Sequence, residues 1–164
     1  MKSWTGAEIE AERQGLEHAS GGILGRMLFE FSRLEMALGL FLVWSGEGRQ
    51  LEKLTKLIGE YTFHRKLDFL QELSDGKYSA NAEVHEQYCQ WLSDAHKMRL
   101  MRNEFVHGRW GTDPINQQVI NVVGLPTSAD QRQVRYTLTE LKHVLEEMSQ
   151  LQIRLRALRD KWPV

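Results

Sequence analysis

Apolar residues recur along most of this chain at intervals of three and four, the spacing that lines one face of an α-helix. Thr5 followed by Glu8 has the form of a capping box and predicts a short acidic helix to about residue 19, ended by Gly21-Gly22. A second helix is predicted over 23–44. Leu24, Leu28, Phe31, Glu35, Leu38 and Leu42 share one spacing, and Met27, Leu34 and Phe41 add another apolar set. A helix apolar on several sides belongs at the centre of a domain, and Glu35 sits inside its pattern. Ser45-Gly-Glu-Gly48 breaks the chain, two shorter helices follow over 51–59 and 63–73, and Ser74-Asp-Gly76 reads as a turn leading into a loop to residue 81.

Residues 82–107 carry the clearest stripe: Val84, Tyr88, Trp91, Leu92, Ala95, Met98, Phe105 and Val106, with Gly108 placed as the stop. After Pro114 the period changes. Val119, Ile120, Val122 and Val123 are β-branched, and Val134, Tyr136 and Leu138 alternate with polar residues, which predicts a hairpin around 124–131. Thr137 and Glu140 repeat the capping-box form. Leu141, Val144, Met148, Leu151, Leu155, Leu158 and Trp162 then make a seam like that of one helix packing along another. The expected fold is mainly α: one domain over 1–164, an up-and-down helical bundle with a small β-hairpin inserted before the last helix.

Composition narrows this picture. A chain of 164 residues with 41% hydrophobic and 26% charged residues is long enough and apolar enough for one real core. The formal net charge of −1 excludes a generally cationic nucleic-acid coat but leaves room for a local basic site. Cys89 is the single cysteine, so no internal disulfide and no cysteine-based zinc site is expected. The start of the chain has no apolar core, and the most apolar run, 36–44, is too short to span a bilayer. The expectation is a cytoplasmic protein with no membrane partner.

One segment has chemical character. On a helical wheel Arg102 falls in the apolar stripe between Met98 and Val106, although a guanidinium is seldom buried without partners. Glu35, a backbone carbonyl, a phosphate or water would each satisfy it. From His96 to Trp110 the chain holds Lys97, Arg99, Arg102 and Arg109 against Glu104 alone, an excess of three positive charges. This is the best anion site in the sequence. Arg102 and His107, five residues apart, point about 140° from one another on an ideal helix. They meet in one site only if the helix end distorts or a second subunit contributes. The histidines offer no chelating set by spacing: His85, His96 and His107 lie in steps of eleven residues, roughly 16 Å apart. His18, His64 and His143 read as surface residues, so neither metal nor cofactor is expected.

Arg102-Asn103-x-x-x-His107 resembles the Arg-x4-6-His motif of the HEPN superfamily, in which the residue after the arginine is usually polar and the motif lies near the end of a long helix. The central helix with an internal acidic residue, the His-Gly-x-Trp ending and the long C-terminal helix agree with that layout. Spacing alone is unspecific, since Arg13 to His18 fits it equally; the context carries the resemblance. It implies a HEPN-like bundle and a metal-independent endoribonuclease acting on single-stranded RNA, of the kind that serves as a toxin or defence component. Arg102 would hold the phosphate and His107 would transfer the proton. Asn103 would orient His107, and Glu35, Arg99, Arg109 and Trp110 would support the site or bind RNA. It also implies a homodimer with two motifs in one cleft, and an antitoxin partner such as a nucleotidyltransferase-like protein. Two other readings stand beside it: a non-catalytic HEPN-like module that binds a nucleotide, RNA or a partner protein, and a helical interaction protein.

Overall fold

The computed structural model describes residues 4–164; positions 1–3, the beginning of the segment read against a leader peptide, lie outside them. The chain is mainly α-helical with a small antiparallel sheet before the last helix. Its elements are α1 (Gly6–Val43), a 3₁₀ turn (Ser45–Gly48), α2 (Leu51–Gly59), α3 (Phe63–Tyr78), α4 (Ala82–His107), β1 (Arg109–Asp113), β2 (Gln118–Val123), β3 (Arg132–Tyr136) and α5 (Leu138–Lys161). No helix is long and apolar enough to cross a membrane among the described residues.

Three expectations are corrected. The two helices predicted on either side of Gly21-Gly22 are one, α1. Neither glycine has a positive φ, and Leu16, Ser20, Ile23 and Met27 form a buried stripe that runs through the pair. That continuous burial outweighs the roughly 1 kcal/mol by which each glycine disfavours a helix. Helix α3 likewise runs past Ser74-Asp-Gly76 to Tyr78. Ser74 is buried there, and its hydroxyl donates to the Gln71 carbonyl at 3.0 Å instead of opening a turn. The predicted hairpin is a three-stranded sheet of order β1-β2-β3, both pairs antiparallel. Arg109 pairs with Val122 and Asp113 with Gln118, so β1 starts one residue after the stop at Gly108.

The chain gathers into two compact units, each assembled from separate segments. The first holds residues 4–29 and 101–147: the start of α1, the end of α4, the sheet and the start of α5. Its core includes Leu16, Ile23, Met27, Phe105, Val119, Leu141 and Val144. Both capping boxes belong to it. Thr5 and Thr137 each accept from the amide three residues on, at 3.3 and 3.2 Å, and Glu8 and Glu140 reach back to the threonine amides at 2.8 and 2.7 Å.

The second unit holds residues 30–100 and 148–164. Phe31 meets Phe63 with ring centroids 4.7 Å apart. Trp91, fully buried, donates its indole N–H to the Leu151 carbonyl at 2.9 Å, and Tyr88 donates its hydroxyl to the Trp162 carbonyl at 2.5 Å. These two bonds let large amphipathic rings fill the core without a stranded polar atom. Burial raises the Tyr88 pKa well above the usual phenol value, aided by the nearby Tyr78. Arg154 on α5 bridges to Asp94 on α4 at 2.8 Å.

Candidate functional site

The motif lies in the last turns of α4, inside the first unit. Helix α4 runs without interruption to His107, and the Gly108 amide closes the final turn by donating to the Glu104 carbonyl at 2.8 Å. The helix end is therefore regular, and on a regular helix residues five apart leave the axis about 140° from one another. Arg102 is half-buried and donates from Nη1 to Asn103 Oδ1 at 3.2 Å. His107 is exposed, with no hydrogen bond or ion pair among the described residues. The side chain of Asn103 thus engages Arg102, not His107 as expected.

A compact scaffold holds this helix end. Asn121, fully buried on β2, donates from Nδ2 to the Glu104 carbonyl at 3.0 Å. Its Oδ1 is turned against Gly108, where a Cβ would overlap it outright and would lie 2.6 Å from the Glu104 carbonyl oxygen. Glu104 pairs through its carboxylate with Arg132 on β3. Trp110 donates its indole N–H to the Phe105 carbonyl at 2.9 Å, and Phe105, Trp110 and Tyr136 pack ring against ring at 5.4–6.1 Å. Trp110 is thus a packing residue at the helix end. Arg109 is exposed and donates to the Gly124 carbonyl at 3.1 Å, tying β1 to the end of β2.

Sequence reasoning missed Asn121, Arg132 and Tyr136. A signal for Asn121 existed: it stands two residues after Val119, on the same face of a β-branched strand, where an asparagine has to find a buried partner. Of the remaining expected residues, Glu35 and Arg99 belong to the second unit. Glu35 accepts from Lys66 Nζ at 2.8 Å, with the lysine side chain largely covered. Arg99 is partly buried, and its Nε has no hydrogen-bond partner among the described residues.

Another grouping in the second unit was not legible from spacing. His64 and Asp68 on α3 and His96 on α4 bring one potential ligand atom each within 4.8 Å of the others. The His64 and His96 rings meet edge to face, 5.3 Å between centroids. Burial holds His96 below the ordinary imidazole range, and the neighbouring His64 and Arg99 add to this against the pull of Asp68.

No family model, curated protein or solved structure matches this chain.

Proposed function

We propose that this chain is a HEPN-type endoribonuclease that cuts single-stranded RNA without a metal, in a homodimer whose two motifs line one cleft. The observation that carries this reading is the half-buried Arg102, braced by Asn103, together with an exposed His107 at the tip of the same undistorted helix. One copy alone points these groups apart; a twofold axis brings the arginine of one copy toward the histidine of the other. The first unit also leaves Leu28, Phe29 and Val106 exposed, apolar surface of the kind a subunit interface covers.

The chemistry follows from the groups. His107 takes the proton from an RNA 2′-OH, whose oxygen attacks the adjacent phosphorus. Arg102 offers a planar, permanently charged fork to the phosphate oxygens as negative charge builds. The bond from phosphorus to the 5′ oxygen breaks, and that oxygen leaves with the proton given up by the protonated His107, yielding a 2′,3′-cyclic phosphate and a 5′-OH end. DNA lacks the nucleophile and resists.

A second reading, a binding module of the same type without catalysis, is favoured by one observation. His107 has no orienting partner among the described residues, whereas catalytic histidines are commonly held by a neighbouring acceptor. Purified protein incubated with an unstructured oligoribonucleotide in EDTA separates the two. The nuclease reading expects cyclic-phosphate products, a loss of at least ~100-fold in His107→Ala, and a large loss in Arg102→Lys, which keeps the charge without the fork. The binding reading expects no cleavage by wild type and an RNA affinity that weakens with salt and in Arg102→Ala. Circular dichroism establishes that each variant is folded.

A further inference from the structure

His64 and Asp68 are four residues apart on α3 and so share one face of that helix. His96, 28 residues further along the chain from Asp68, reaches the same place from α4. The three side chains converge, yet they do not satisfy one another. His64 Nδ1 and Asp68 Oδ1 stand 3.7 Å apart, beyond a hydrogen bond. His96 makes no hydrogen bond among the described residues, although it is partly buried. Two imidazoles and a carboxylate, held by two helices with no hydrogen bond among them, bring three lone-pair donors within 4.8 Å of one another.

The geometry points to a binding site for a single zinc ion, clamped between α3 and α4 by His64, Asp68 and His96 with a fourth position open. The donor set decides the metal class. Two nitrogen ligands disfavour calcium and magnesium, which take oxygen shells, whereas two imidazoles and a carboxylate suit a first-row transition ion, zinc and iron(II) among them, and zinc is the one that needs no redox chemistry. Tetrahedral zinc with bonds of about 2.0–2.1 Å holds its ligand atoms roughly 3.3 Å apart. Binding would draw the ligand atoms, now within 4.8 Å of one another, closer together, and His64, the exposed member, is the one with solvent around it. Three protein ligands leave a position for water, the arrangement of an open site in contrast to a closed structural one. Arg99 stands one turn after His96 on α4, within electrostatic reach of its ring. Its Nε is buried without a hydrogen-bond partner among the described residues.

The site uses no residue of the Arg102–His107 motif and stands whether or not the nuclease reading does. Its test is calorimetric titration of zinc chloride into the full chain, stripped of metal with EDTA and desalted. The expected result is one ion per chain with micromolar or tighter affinity, and visible absorption bands of a low-symmetry site when cobalt replaces zinc. His64→Ala and Asp68→Asn, both at accessible positions, should each weaken zinc binding at least ~10-fold, while His143→Ala leaves it unchanged. Absence of micromolar binding overturns the proposal. So does binding by either ligand variant as tight as that of the wild type, which would place the ion elsewhere.

Discussion

Gly108 is where a single hydrogen atom decides the local structure. The chain must leave α4 and enter β1 within one residue while Asn121 reaches past it to the Glu104 carbonyl. A methyl group there collides with Asn121 Oδ1 and with backbone, and neither is the free end of a flexible side chain. Gly108→Ala should therefore destabilise the protein by about 1–3 kcal/mol, the range for forcing an extra methyl into a packed site. Urea unfolding followed by circular dichroism measures this, and an unchanged midpoint would refute the packing described for Asn121. The sequence made Gly108 legible as a helix stop but not as a contact, because the residue it touches is 13 positions away on β2. That Arg102, Asn103 and His107 fall in the last turns of one long helix was legible from local pattern alone. Their partners were not: which group Asn103 would bond depends on rotamers, and Arg132 meets Glu104 only because β3 pairs with β2.

At the scale of elements, periodicity located α2, α4 and α5 well because each has a single apolar face bounded by clear stops. It failed where local signals and burial disagreed. Gly21-Gly22 reads as a terminus by propensity, yet buried Leu16, Ser20, Ile23 and Met27 hold the same register on both sides. Both glycines are exposed, with helical backbone and open space where a Cβ would stand. Gly21→Ala and Gly22→Ala should each stabilise the protein by about 0.5–1 kcal/mol. Thermal unfolding reads the effect, and a loss of stability would mean that α1 breaks at this pair after all. The strand β1 (Arg-Trp-Gly-Thr-Asp) lacks the alternation of a half-buried strand, and its conformation comes from pairing with β2. The link between them is set by Asp113, which accepts from the Asn116 amide at 3.2 Å, and by Gln117 at a positive φ of 54°.

For the whole molecule, the mainly helical class with a small sheet before the last helix was readable from the chain. The meeting of His64, Asp68 and His96 was not, since spacing along a sequence says nothing of where two helices cross. The proposed nuclease rests on assembly. On an unbroken α4 residues 102 and 107 leave the helix axis about 140° apart, and in the proposed dimer a second copy completes the site. Mixing two inactive variants tests this directly. Arg102→Ala and His107→Ala are each folded, purified and shown to leave an unstructured oligoribonucleotide uncut in EDTA, then combined under conditions that let subunits exchange. A shared site predicts that cleavage returns to about a quarter of the wild-type rate, because half the dimers are mixed and each of those holds one intact arginine–histidine pair out of two. A mixture that stays inactive while light scattering reports exchanged dimers would contradict the account.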